Sequence, residues 1–147
     1  MKLCEVFDSK TDWKWTTKSS TYWEARMKIN EHEYKFDIEL IYDDTLTDHY
    51  KIENPLENSW AVQFILLKTG NEYVRSHSIT GTGNELQVFT SVLEMIHEFV
   101  NEQHPTALVF SASQPSRIKL YDKMVSRLSQ KVIISNLRRE KVYYVIL

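Results

Sequence analysis

Glycine, proline and cysteine are nearly missing from this chain: three, three and one in 147 residues. A single thiol, Cys4, excludes an intrachain disulfide and leaves no second thiolate to share a metal. Among Leu3, Val6 and Phe7 it is expected as a small apolar side chain of a first strand, Leu3 to Phe7. No apolar run approaches the roughly 20 residues of a membrane span. Glu5 and Asp8 stand where a secretion signal needs an apolar core, so a soluble, cytoplasmic protein is expected. Also missing are Gly-x-x-x-x-Gly-Lys-Ser/Thr, Gly-x-Ser-x-Gly and His-Glu-x-x-His. His32, His49, His77, His97 and His104 have no metal-ligand spacing with one another or with carboxylates, and no metal is assigned.

What is there is an ordinary globular composition, 42 % hydrophobic and 12 % aromatic, enough for one domain over residues 1–147. Charge is segregated although the net is only −2: residues 24–58 hold ten acids and four bases, residues 116–142 eight bases and two acids. This predicts either an acidic and a basic face or two segments that neutralise each other side by side.

The first part, 1–59, reads as antiparallel strands and an acidic loop. Thr21 to Ile29 and Tyr34 to Tyr42 are strands joined through Asn30 to Glu33, and in the second the apolar residues fall on alternate positions, with one face buried and the other charged. Asp43 to Ser59 reads as an exposed loop. Residues 9–20, mostly Ser, Thr, Lys and Trp, have no helical period, but Trp13 and Trp15 would share one face of an extended segment. Trp60 to Lys68 is a more continuous apolar run and predicts a central strand, after which Tyr73 to Ile79 returns antiparallel. The period then changes. From Glu85 to Gln103 a wide apolar stripe of Leu86, Phe89, Leu93, Ile96 and Val100, joined by Val88, Val92 and Phe99, predicts a helix. Ala107 to Ala112 follows as a buried strand, then a helix over Pro115 to Leu128 with Ile118, Tyr121, Val125 and Leu128 inward. Strands Val132 to Ser135 and Lys141 to Leu147 close the chain. The fold class is therefore α/β (α+β): a mixed, mostly antiparallel sheet with two C-terminal helices. The crossover helix should set Ala107 to Ala112 parallel to the strand ending at Ile79.

Two of the three glycines flank one residue in Ser78-Ile79-Thr80-Gly81-Thr82-Gly83-Asn84-Glu85, where strand turns into helix. The amides that follow open a helix with unpaired donors and partial positive charge, which suits a phosphate; the same glycines also suit a tight turn alone.

This order, with its glycine turn, resembles the GNAT N-acetyltransferase superfamily over about Trp60 to Leu147. The family motif Arg/Gln-x-x-Gly-x-Gly/Ala is matched by Ser78 to Gly83 at both glycines, with Ser78 in place of the basic or amide residue. A second motif, Asn-x-x-Ala-x-x-Leu-Tyr-Glu-Lys, is matched by Leu120-Tyr121-Asp122-Lys123, with Gln114 for the asparagine and Arg117 for the alanine. The chain is also similar to small uncharacterised bacteriophage-encoded proteins with Thr-Gly-Thr-Gly-Asn and Ser-Arg-x-Lys-Leu-Tyr patterns, which would place it in a host cytoplasm or a virion.

The resemblance implies acyl transfer from acetyl-coenzyme A, or another acyl-coenzyme A, to an amine. Ile79, Gly81, Thr82, Gly83, Asn84 and Glu85 would hold its pyrophosphate, with Arg117 among the residues supplying charge beside Arg75 and Lys119. Tyr121 takes the place of the general acid, although its spacing also suits the core. Glu72 and His77 are the candidate bases. No covalent nucleophile is needed. The helices that wall the acceptor pocket in that family have no counterpart in residues 9–20. This favours a second function, a catalytically inactive binding or structural module that meets a protein partner, or a second copy, through Trp13, Trp15 and Trp23. Nucleic-acid binding through Arg117, Lys119, Lys123, Arg127, Lys131, Arg138, Arg139 and Lys141 is opposed by the acidic remainder and the lack of a reader motif.

Overall fold

A computed structural model describes residues 11–41, 56–69, 72–76, 85–137 and 139–147. Its elements in chain order are β1 (Thr11–Lys18), β2 (Tyr22–Ile29), β3 (His32–Ile41), β4 (Ser59–Thr69), β5 (Glu72–Ser76), α1 (Glu85–Gln103), β6 (Ala107–Ala112), α2 (Pro115–Leu128), β7 (Lys131–Leu137) and β8 (Glu140–Ile146). The strands form one sheet in the order β1-β2-β3-β4-β6-β8-β7, with β5 paired to β4. All pairings are antiparallel except β4 with β6. This is the mixed, mostly antiparallel α+β sheet with two C-terminal helices that the sequence predicts. The first strand expected at Leu3 to Phe7 lies outside the described residues, as does most of the loop expected from Asp43.

Short connections carry their own chemistry. Asn30 turns β2 into β3 at φ 54°, a left-handed conformation that asparagine tolerates better than most residues. At the end of α1, His104 adopts φ 51° and its amide donates to the Val100 carbonyl at 3.0 Å, with Pro105 preventing continuation. Asn58 ties this corner to β4: its Nδ2 donates to the His104 carbonyl and its Oδ1 accepts from Trp60 Nε1.

Cross-strand partners share a face, so the register sorts the side chains. Phe36 with Phe64 and Ile38 with Val62 point one way; Asp37 with Gln63 and Glu39 with Ala61 point the other. Both helices cover the first face. Phe99 of α1 stands edge-on against Trp23 and Trp60 at 5.0 and 4.9 Å between ring centres, and Tyr121 of α2 packs on Phe110 at 5.1 Å. Ile41, Ala107, Val109, Val142 and Tyr144 form a second, smaller apolar cluster, on the opposite face.

Three expectations are corrected. β6 pairs with β4 and not with the strand heading for Ile79, because β5 hairpins back along only the far end of β4, leaving the near end for β6. The extended segment expected within residues 9–20 is found: residues 11–18 form an edge strand that sets Trp13 and Trp15 half-buried on the core. Ser59 is buried at the start of β4, where its hydroxyl donates to the Leu56 carbonyl. Of the stripe expected on α1, Val88, Val92, Ile96 and Phe99 are buried, joined by Met95, but Leu86 is 52 % exposed.

Candidate functional site

β4 and β6 pair from Ser59 and Ala107 only as far as Val62 and Phe110. Beyond that point β4 runs on to Thr69 and β6 to Ala112, and β5 takes up the β4 edge only from Leu66. Gln63, Phe64 and Ile65 therefore have no strand on that edge among the described residues. A cavity of about 340 Å³ occupies the gap.

The cavity is lined from both faces of the sheet. From the helix side come Val62 and Ala112, with Gln114, Arg117 and Tyr121 of the start of α2. From the other side come Asp37, Glu39, Ala61 and Gln63, which the β3–β4 register puts on one face. Ser111 follows Phe110 and so alternates onto that same side, where Glu140 at the start of β8 completes the rim. Residues from the acidic and the basic parts of the chain thus meet at one opening.

Tyr121 is 1 % exposed, and its buried hydroxyl makes no well-formed hydrogen bond among the described residues, with the Arg117 guanidinium as the donor beside it. Burial lifts its phenol above the ordinary range; the charge of Arg117 pulls the other way, and the Asp37 carboxylate adds to the rise. Gln114, the N-cap of α2, makes no side-chain cap bond, and its buried Oε1 is also without a partner. Arg117 is 3 % exposed, its guanidinium 5.1 Å from the Phe64 ring centre and 6.0 Å from that of Tyr121.

Asp37 is 7 % exposed although it sits on the charged face of β3. Burial raises its carboxyl above the usual range; Lys35 opposes this, and Glu24 and Glu39 reinforce it. Lys35 Nζ and the Tyr22 hydroxyl both reach its Oδ2, each at 3.5 Å. The Tyr22 phenol, raised by its own burial and by Asp37, donates at 3.0 Å to Glu24.

α2 is fastened so that Tyr121 faces the gap. Asp122 Oδ1 accepts from the Tyr143 hydroxyl at 2.5 Å and from Lys141 Nζ at 2.9 Å, both on β8. Burial tends to raise the Asp122 carboxyl, but these two donors hold it below its ordinary value. In Leu120-Tyr121-Asp122-Lys123 the aspartate therefore holds the helix while the tyrosine lines the cavity.

The structure brings together two of the residues singled out from sequence, Tyr121 and Arg117. Glu72 opens β5 and Glu85 opens α1. His77, Ile79, Gly81, Thr82, Gly83 and Asn84 lie outside the described residues. Trp23 is 2 % exposed and part of the core; Trp15 stands edge-on to it at 4.9 Å and donates to Glu98. Sequence reasoning did not reach Asp37, Glu39, Gln63, Ser111, Ser113 or Glu140. Asp37 alternates with apolar residues just as Lys35 and Glu39 do, so nothing local marks it as buried. Among the described residues no three His, Cys, Asp or Glu side chains converge to hold a metal ion, and no helix is long and apolar enough to cross a membrane.

Among solved structures, an uncharacterized protein from Bacillus halodurans superimposes with a TM-score of 0.51 at 10 % identity, covering 88 % of this chain. The chain spans 61 % of that protein's length, and the likeness is one of fold. The AHL synthase LasI superimposes with a TM-score of 0.46 at 11 % identity, covering 97 % of this chain and 77 % of its own. No curated protein matches the sequence. The model of a family of unknown function, DUF6934, matches residues 20–136, from β2 almost to the end of β7, and the chain belongs to that family.

Proposed function

We propose that this chain is a GNAT-like acyltransferase that moves an acyl group from coenzyme A to a primary amine, with Tyr121 as the proton donor to the departing thiolate. The observation that carries the reading is Tyr121: buried, with Arg117 beside its hydroxyl and no well-formed hydrogen bond among the described residues, and lining a cavity where two parallel strands part. A core tyrosine of this kind normally finds a well-formed partner for its hydroxyl.

The chemistry balances without a covalent enzyme intermediate. A neutral amine forms the new C–N bond at the thioester carbonyl, the C–S bond breaks, and the sulfur takes the Tyr121 proton. The proton shed by the amine nitrogen restores the phenol. A phenol raised by burial is fully protonated at neutral pH, and the Arg117 charge stabilises the phenolate as it forms. The cavity, about 340 Å³, admits the reacting ends of two substrates and not a nucleotide. The nucleotide's phosphates are assigned to Ile79, Gly81, Thr82, Gly83, Asn84 and Glu85.

One observation favours a binding module instead. Arg117 stands where the motif of the resembling family has alanine, and its buried side chain takes up room beside Tyr121. A partner of such a module would meet the half-buried Trp13 and Trp15. The deciding measurement is the thermal midpoint with and without millimolar acetyl-coenzyme A, beside Gly83→Trp. A rise in the natural protein that the variant lacks supports the transferase; no rise at saturating ligand removes it.

A further inference from the structure

We propose that the outer edge of β7 is a self-association surface, covered by a second copy of this chain that pairs its own β7 antiparallel across a two-fold axis. The surface is independent of the cavity and of the transferase reading.

Among the described residues β1 and β7 are the two ends of the sheet, and they are built differently. β1 carries Asp12, Lys14 and Lys18, and its register with β2 slips at a bulge between Trp15 and Thr17. Charges and bulges are what keep an edge strand from meeting another. β7 has neither: from Val132 to Leu137 it holds no charged residue, and its pairing with β8 runs without a shift. Ile133 and Ile134 are 54 % and 51 % exposed. As neighbours they stand on opposite faces, Ile134 paired with Tyr143 of the helix-side core and Ile133 with Tyr144 of the smaller cluster. A large apolar side chain is thus exposed on each side of one edge.

The backbone decides what fits there. Along an antiparallel strand the N–H and C=O of one residue point to the same neighbouring strand, and those of the next residue point to the other. The Leu147 amide donates to the Thr106 carbonyl on the β6 side of β8, and the Ile146 carbonyl accepts from the Ser129 hydroxyl on the β7 side. Every second residue before Ile146, namely Tyr144, Val142 and Glu140, therefore directs its backbone groups to β7, where the partners are Ile133, Ser135 and Leu137. The groups of Val132, Ile134 and Asn136 point outward. These three are symmetric about Ile134. A second β7 run antiparallel, with Ile134 facing its own counterpart and Val132 facing Asn136, pairs every outward N–H and C=O of all three at once. The same register sets Ile134 against Ile134 on the helix side and Ile133 beside Ser135 on the other, so both exposed isoleucines are covered. Lys131 falls opposite Leu137, and the two copies of that lysine end about 20 Å apart. With β1 blunted, association stops at two copies.

The test is sedimentation velocity of the whole chain from micromolar concentrations to about 1 mM, the span of weak interfaces of modest area. The mass should rise with concentration to twice that of one chain and no further. Ile134→Lys, which sets like charges face to face across the axis, should weaken association by roughly tenfold or more. Lys14→Glu, a charge change on the β1 edge, should leave it unaltered. Thermal midpoints at micromolar concentration check that both variants fold. A milder pair reads the geometry in a Cys4→Ser background. Ile134→Cys puts thiols on residues whose Cα atoms lie about 5.5 Å apart across the axis, so a short bis-maleimide should join two copies, whereas Lys14→Cys should stay single. A protein that stays monomeric to about 1 mM, masses beyond two copies, an association that Ile134→Lys leaves intact, or Ile134→Cys cross-linking no faster than Lys14→Cys would each overturn the surface.

Discussion

The two faces of the sheet bury different things. On the helix side, Trp23, Phe36, Phe64, Phe99 and Phe110 form a dry aromatic core, each 2 % exposed or less. On the other face the same strands present Glu24, Lys35, Asp37 and Glu39, and bury Asp37 among them. Ring against ring stabilises the first face through apolar area removed from water and edge-on geometry. The second holds a carboxylate whose surroundings disfavour its charge, an arrangement that adds nothing to stability. Where β4 and β6 part, the two environments come within reach of one cavity, lined by the buried Tyr121 from one side and the buried Asp37 from the other. The difference separates a face whose burial holds the fold from a face whose buried charge does not.

The largest effect should come from breaking the helix-side core. Phe99→Ala, which empties the slot between Trp23 and Trp60, is expected to cost about 3–5 kcal/mol in denaturant unfolding. Glu39→Gln on the opposite face should stay within about 0.5 kcal/mol. Comparable losses from the two would erase the contrast between the faces.

Next is Tyr121→Phe, which tests whether the hydroxyl belongs to core or to chemistry. Removing a buried hydroxyl without a well-formed partner should leave stability unchanged or raise it by about 1–3 kcal/mol. Acyl transfer should fall by about 10²–10⁴-fold. A destabilised variant with unaltered turnover would return Tyr121 to the core.

Asp37→Asn sharpens the comparison through pH. A carboxyl whose folded pKa lies above its ordinary value of 3.8 favours the folded state below that value, and this contribution is lost as pH rises through the raised pKa. The asparagine variant should therefore melt above the natural protein at pH 7, and its advantage should shrink toward pH 4. A variant that melts lower at pH 7 would show that Lys35 outweighs the burial.

Smallest is the exposed pair Lys18–Glu102, which joins β1 to α1 at 3.0 Å. Glu102→Gln should change stability by less than about 1 kcal/mol, and less again in high salt. Lys18 also lies 4.7 Å from the Trp23 ring centre, a contact this variant keeps.

Much of the scaffold is legible in the chain. α1, β6 and α2 have the bounds their periodicity predicts, because long apolar stripes and the prolines at 105 and 115 leave little freedom. β1 is less legible: an edge strand buries only one side, and Trp13 and Trp15 alone mark it. Of the cavity, the motif around Leu120 to Lys123 points to Tyr121 and not to what it faces. Asp37 comes from a strand more than eighty positions earlier, and Glu140 from the one that α2 is fastened to.

The sequence by itself determined the class of fold, the two helices, the alternation that gives β3 one apolar and one charged face, and Tyr121 as the residue to watch. These are local properties, written in periods of two and 3.6 residues. Only the tertiary structure decided that β6 pairs with β4 for four residues and then leaves it, opening a gap that both faces share. Strand pairing across a crossover depends on which edge remains free once the β4–β5 hairpin has closed. Burial of Asp37 depends on neighbours such as Tyr22 on the adjacent strand, and neither is a property of any short stretch of chain.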